Sequence, residues 1–201
     1  LGAQRPALKP ERLAPTARFD WKSRDGFALS GYLTPPQASA AGKPPLILMP
    51  HGGPEARDNL QFQSWAQAFA ARGYMVFQPN FRGSGGFGTK FAALGYGQWG
   101  LRMQDDVMDG VQALIDSGKV DPDRICVVGA SYGGYVSLYA GAKAPERFKC
   151  VVSFAGVSDL VASQKWERTR RGVDSPVYQY WLRSIGDPEK EREKLVATSP
   201  I

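Results

Sequence analysis

Hydrophobic and polar residues alternate with a period of two in residues 18–23 (RFDWKS) and again in residues 27–35 (FALSGYLTP). Such alternation is typical of strands with one buried face, and residues 24–26 (RDG) between them favour a turn. This part of the chain therefore predicts a β-hairpin. Residues 1–18 are rich in Pro, Arg and Ala without periodicity, and they predict a linker or an extended arm.

From residue 45 onward, short apolar runs alternate with segments of helical period. A continuous apolar run is typical of a strand buried on both faces, whereas apolar residues at every third or fourth position indicate a helix. Strands are predicted at residues 45–50, 75–80, 125–130 and 148–155, and helices at 63–72, 103–117 and 132–144. This order implies an α/β fold with a mostly parallel sheet, helices on both faces and the antiparallel hairpin at one edge.

Three segments fall outside this alternation. Residues 35–45 predict a loop, and residues 81–100 predict a long glycine-rich loop. Residues 160–201 are helical in pieces, and we expect breaks at prolines such as Pro176 and Pro188.

The composition is that of a soluble globular protein, with 43% hydrophobic and 22% charged residues among 201. No apolar run approaches the roughly 18 residues of a membrane span, so no membrane partner is expected. The net charge of +6 is scattered along the chain, which argues against a nucleic-acid partner. Because the chain begins at Leu1 instead of Met, we expect it to be part of a longer protein.

Two cysteines, Cys126 and Cys150, are too few to predict a disulfide framework in a chain of this length. Each lies inside an apolar run that predicts a strand. We therefore expect both to be small buried hydrophobic residues.

The strongest chemical signal is the sequence GASYGG at residues 129–134, which matches G-x-S-x-G. In such a turn the serine is held in a strained conformation between a strand and a helix, and the flanking glycines are needed because the backbone there is crowded. An apolar strand precedes the motif and a predicted helix follows it, which favours Ser131 as a nucleophile over an incidental serine. The Tyr132 N–H, at the start of the helix, is a candidate oxyanion donor.

A second motif, HGGP at residues 51–54, directly follows the first parallel strand. Hydrolases with a serine elbow take a second oxyanion donor from such a loop, and Gly53 is the candidate because Pro54 has no N–H. His51 is the only histidine of the chain. Since it precedes the serine by 80 residues, we expect it to tether the loop and not to act as the base.

Two other features have plainer interpretations. Residues 83–88 (GSGGFG) have the spacing of a dinucleotide fingerprint, but no helix is predicted to open on them, so no cofactor is expected. We expect this loop to border the active site. Asp159 follows a predicted strand and is a conceivable triad acid, although a turn or cap role is the default. No metal ligands are predicted.

Four segments together resemble the catalytic domain of the prolyl oligopeptidase family of serine peptidases, in particular its acylaminoacyl-peptidase and dipeptidyl-peptidase-like branches. They are residues 23–36 (SRDGFALSGYLTPP), 46–54 (LILMPHGGP), 80–88 (NFRGSGGFG) and 127–135 (VVGASYGGY). The tail segments AGVSDL (155–160) and ATSPI (197–201) are also similar to the family.

This resemblance implies an α/β-hydrolase fold and hydrolysis of oligopeptides or acyl-peptides through an acyl-enzyme on Ser131, with Gly53 and Tyr132 as oxyanion donors. It also implies an upstream β-propeller, with residues 1–18 as the linker from it and 19–201 as a partial catalytic domain. The family's catalytic Asp and His, and the final strands of the sheet, would then lie beyond Ile201.

Two alternatives remain open at this point. A carboxylesterase on the same fold would share the serine turn and the oxyanion loop. A non-catalytic interaction module would have kept the turn without a base, and by itself this chain is expected to be nearly inactive.

Overall fold

The computed structural model describes residues 9–37 and 42–201, whose strands form one six-stranded mixed sheet. The strands are β1 (Ala17–Lys22), β2 (Ala28–Thr34), β3 (Leu46–Leu48), β4 (Met75–Asn80), β5 (Ile125–Ala130) and β6 (Cys150–Phe154). Their order across the sheet is β1-β2-β4-β3-β5-β6. The four strands β3 to β6 run parallel, while β2 pairs antiparallel with both β1 and β4. The predicted parallel sheet with an antiparallel hairpin at one edge is confirmed.

Helices cover both faces of this sheet, as the alternating pattern predicts. They are α1 (Ser64–Ala70), α2 (Thr89–Ala93), α3 (Arg102–Asp116), α4 (Tyr132–Lys143), α5 (Leu160–Arg171), α6 (Pro176–Ser184) and α7 (Arg192–Ala197). On one face Ala66 of α1 packs with Ile47 and Val76. On the other face, the α3 and α4 side chains bury Leu48 and Phe77 in the larger core cluster. In the described part of the chain, none of the helices has both the length and the hydrophobicity to cross a bilayer.

One local prediction is corrected by the structure. The glycine-rich segment 81–100 is not one continuous loop, because it contains the short helix α2. Beyond residue 160, the predicted helical pieces and the breaks between them are confirmed. Pro176 begins α6 after the break that follows α5, and Pro188 lies between α6 and α7.

The described part of the predicted arm lies against the domain. The side-chain amide of Gln67 in α1 accepts a hydrogen bond from Ala14 N–H at 2.9 Å and donates one to the Ala14 carbonyl at 3.0 Å. β1 begins at Ala17, inside the segment expected to be linker. Residues 1–8 of that segment lie outside the described residues, and its role as a linker stays a prediction.

The expectation for the cysteines was wrong, because Cys126 and Cys150 are joined by a disulfide bond. They are direct partners in the parallel register of β5 and β6, with their Cα atoms 4.7 Å apart. Neither is a buried hydrophobic residue, since Cys150 is exposed and Cys126 is half-buried. The bond therefore ties the strand that leads to Ser131 to its neighbour.

Reduction of this disulfide is expected to lower the free energy of unfolding by about 3 kcal/mol, because the bond closes a loop of 24 residues in the unfolded chain. Urea unfolding with and without dithiothreitol measures the effect. The matched control is the Cys126→Ala/Cys150→Ala protein, whose unfolding midpoint should not respond to dithiothreitol. Equal midpoints for the oxidised and reduced parent protein would contradict the prediction.

Candidate active site

Ser131 lies at the sharp turn between β5 and α4, where its side chain is exposed to solvent. Its backbone has φ 55° and ψ −120°, a conformation that a residue with a side chain rarely adopts. Its N–H donates a hydrogen bond of 2.9 Å to the Phe154 carbonyl at the end of β6, and its carbonyl accepts one from Tyr135. Both backbone groups are thus fixed by neighbouring elements, which leaves the hydroxyl as the free group of the turn.

The glycines around Ser131 are required by close backbone contacts. A Cβ on Gly129 would overlap the Gly133 carbonyl, and a Cβ on Gly133 would overlap the Pro50 carbonyl at the end of β3. The predicted crowding of the motif is therefore found, and it extends beyond the motif to the segment after β3. These contacts bring the serine turn and the loop after β3 together.

Tyr132 anchors the first turn of α4 through its side chain. The ring is fully buried, and its centroid lies 4.4 Å from that of Trp99 and 5.2 Å from that of Phe81. As the first residue of α4, Tyr132 has an N–H without a helical acceptor. The buried ring therefore fixes the residue that follows Ser131, while the donor role of its N–H stays a prediction.

The HGGP loop lies directly beside Ser131. A Cβ built on Gly52 would be 3.2 Å from the Ala130 carbonyl oxygen and 3.5 Å from Ser131 Cβ. Gly53 follows with φ +123°, a left-handed value that favours glycine, and a Cβ there would be 2.6 Å from Ala56 N. The structure thus brings the predicted loop to the serine, while the donor role of Gly53 stays a prediction.

His51 holds this loop through both ring nitrogens. Nδ1 lies 2.7 Å from the Gly52 carbonyl, to which it donates, and Nε2 lies 2.9 Å from Ser84 Oγ. The ring stacks on Phe81 with 4.5 Å between centroids. Burial lowers the pKa of His51 to about 4, so the ring is neutral at neutral pH. These contacts fit the predicted tether, and they occupy the nitrogens that a general base would need.

The loop after β4 in turn supports the HGGP loop, as expected for a segment bordering the site. Ser84 is fully buried, and its Oγ lies 2.7 Å from the Phe81 carbonyl as well as close to His51. Gly85 N–H donates a 2.9 Å hydrogen bond to the Ala56 carbonyl. The glycine-rich sequence therefore allows close packing between these two loops.

A buried ion pair that the sequence pattern missed fixes the start of this second loop. The Arg82 guanidinium binds Asp106 of α3 with an N–O distance of 2.6 Å, and the Arg82 N–H donates to the same carboxylate at 2.9 Å. Asp106 is fully buried, and the other side of Arg82 contacts Asp25 in the hairpin turn. Nothing in the sequence distinguished Asp106 from the other acidic residues of its helix.

Asp159 caps α5, because its Oδ1 accepts a hydrogen bond of 2.9 Å from Ala162 N–H. The cap role is that expected by default for this residue. In the parts of the chain that the structure describes, no group of three or more His, Cys, Asp or Glu side chains could hold a metal ion.

Comparisons with known proteins agree on one family. Residues 60–201 match the model of the prolyl oligopeptidase family. The chain is 36% identical to dipeptidyl aminopeptidase BIII of Pseudoxanthomonas mexicana, over all of this chain and 30% of that protein. It is also 36% identical to dipeptidyl peptidase family member 6 of Caenorhabditis elegans, over 98% of this chain and 30% of that protein.

Solved structures give the same result for the fold. An acylaminoacyl peptidase of Pyrococcus horikoshii superimposes with a TM-score of 0.82 at 28% identity, over 94% of this chain and 30% of that one. A puromycin-hydrolysing peptidase of Mycobacterium tuberculosis superimposes with a TM-score of 0.85 at 26% identity, over 97% of this chain and 29% of that one. The fold is therefore that of an α/β-hydrolase, and the chain spans about 30% of the length of these relatives.

Replacement of His51 by Ala is expected to slow the reaction of Ser131 with a fluorophosphonate about 100-fold in the full-length protein, since a displaced loop loses an oxyanion donor. The rate of covalent labelling measures this effect. Ser84→Ala, which removes one of the two hydrogen bonds of the ring nitrogens, should slow labelling less. Unchanged labelling by His51→Ala, in a protein with the circular dichroism of the parent, would show that the ring does not position the loop.

Proposed function

Since this chain belongs to the prolyl oligopeptidase family, we propose that the whole protein is a serine peptidase whose nucleophile is Ser131. Its substrates are oligopeptides or acyl-peptides. The observation that carries the proposal is the exposed serine, held at φ 55° between β5 and α4 and in contact with the HGGP loop. The peptidase names of the relatives favour this reaction over that of a carboxylesterase or a non-catalytic module.

The proposed reaction is acyl transfer. Ser131 Oγ attacks the substrate carbonyl as a base takes its proton, and the carbonyl oxygen becomes an oxyanion. The N–H groups of Tyr132 and Gly53 donate hydrogen bonds to that oxygen. The leaving amine takes the proton, and water then releases the acyl group from Ser131. Both donors belong to backbone segments fixed by buried side chains, so little reorganisation accompanies the change in charge.

The general base of this reaction is not His51, the single histidine of the chain, because both of its ring nitrogens have other partners. We therefore propose that the base and its acid come from outside these 201 residues, as family membership supports. Without them, an oxyanion hole leaves catalysis of roughly 10³–10⁴-fold over water.

The domain organisation belongs to the same proposal. Residues 19–201 form part of the catalytic domain, and the arm before them connects it to an upstream β-propeller that limits substrate size. The attachment of Ala14 to Gln67 of α1 is compatible with a chain that leaves the domain at this point.

The proposed function predicts that the full-length protein forms one fluorophosphonate adduct, on the tryptic peptide that contains Ser131. Ser131→Ala should abolish the adduct and lower kcat/KM for acyl-peptide anilides by about 10⁶-fold. Intact and peptide mass spectrometry, combined with anilide hydrolysis, test both points.

Two results would refute this function. An adduct on another serine would remove Ser131 from the reaction. Hydrolysis of simple esters without any turnover of anilides would assign the site to an esterase.

A further inference from the structure

A cavity of about 270 Å³ opens beside the serine turn, on the α1 face of the sheet. The backbone after β3 and the end of β5 form one side of it, and the start of α1 forms the other. Most of its wall is apolar, and one acidic residue, Asp58, lies in that wall. The apolar side chains of the wall include Met49, Trp65 and Val128.

Asp58 is held rigidly by two amide side chains of β4. Gln78 Nε2 donates a hydrogen bond of 2.7 Å to Asp58 Oδ1, and Asn80 Oδ1 accepts one of 2.8 Å from Asp58 N–H. Asn80 Nδ2 also donates to the Asp58 carbonyl at 3.2 Å. All three residues are buried, and Asp58 is only 8% exposed. The carboxyl group therefore has a fixed position and not the freedom of a surface side chain.

The second carboxylate oxygen, Asp58 Oδ2, is buried and has no hydrogen-bond partner within the described residues. No Lys or Arg in residues 9–37 and 42–201 forms an ion pair with Asp58. A buried carboxylate without a counter-charge is costly, and burial accordingly raises the pKa of Asp58 to about 6. Asp106, the other buried carboxylate, forms an ion pair with Arg82. Asp58 lacks such a positively charged partner among the described residues.

The walls of the cavity complement a long basic side chain. Met49, Trp65 and Val128 would contact a chain of methylene groups, and Asp58 would pair with a charge at its end. The volume suits one side chain and not a large ligand. Gly52 and Ala130 belong both to this wall and to the immediate surroundings of Ser131.

We propose that Asp58 and this cavity form a subsite that receives a positively charged group of the peptide substrate, an ammonium or a guanidinium. This inference rests on the proposed peptidase function, because it concerns what binds next to Ser131. The apolar walls favour a lysine or arginine side chain over the amino terminus of the peptide as the source of the charge. Asp58 thus acts in specificity and takes no part in the chemical step.

The test is equilibrium binding to the full-length Ser131→Ala protein by calorimetry, with peptides that differ only in charge. One pair exchanges lysine for norleucine, and a second pair exchanges a free amino terminus for an acetylated one. The cationic member of one pair should bind about 10- to 100-fold more tightly. The pair that shows this difference identifies the source of the charge.

In the background of Ser131→Ala, Asp58→Asn should remove the difference while the affinity for the neutral peptide changes by less than about threefold. Asp123→Asn is the matched control, because Asp123 is exposed and lies before β5, at the end of the strand away from Ser131. It should preserve the difference.

Equal affinities for both members of both pairs in the Ser131→Ala protein would overturn the subsite without reference to any Asp58 variant. A loss of affinity for neutral and cationic peptides alike in Asp58→Asn would assign the residue to structure alone. Because binding requires no turnover, these outcomes are separate from fluorophosphonate labelling of Ser131, which tests the peptidase function itself.

Discussion

The backbone contact between the serine turn and the segment after β3 is the constraint on which the rest of the site depends. Gly129 meets Gly133 across the turn, and Gly133 meets the Pro50 carbonyl, with no space for a side chain at either glycine. This contact holds the turn that contains Ser131 against the HGGP loop. A methyl group at either glycine would push the turn and the loop apart.

Order at this contact is maintained by a series of buried polar interactions. The ion pair with Asp106 fixes Arg82, from which the loop after β4 continues. In this loop, Ser84 Oγ forms a hydrogen bond with His51 Nε2, and Gly85 N–H donates one to the Ala56 carbonyl. Each partner lies on a different segment, so α3 and the loop after β4 both restrict the HGGP loop. Such an ion pair contributes little net stability, because desolvation offsets its attraction, but the loss of one partner leaves a buried charge.

The two buried carboxylates illustrate how structure and specificity are separated in one domain. Asp106 is neutralised inside the chain and serves the fold. Asp58 is oriented by amide groups, without a counter-charge, and lines the cavity next to Ser131. The two carboxylates differ in their partners and not in their burial, because both residues are at most 8% exposed.

Local sequence patterns were sufficient to predict the features that depend on neighbours in the chain. The alternation in β1 and β2, the apolar runs of the parallel strands and the glycine spacing around Ser131 are local, and all of them were predicted correctly. Other features depend on strand register and on contacts between distant residues, and these became visible only in the folded chain. The Cys126–Cys150 bond follows from the pairing of β5 with β6, and the burial of Asp58 follows from β4 side chains about 20 residues away. No local pattern encodes these contacts, because the residues meet only after the sheet has assembled.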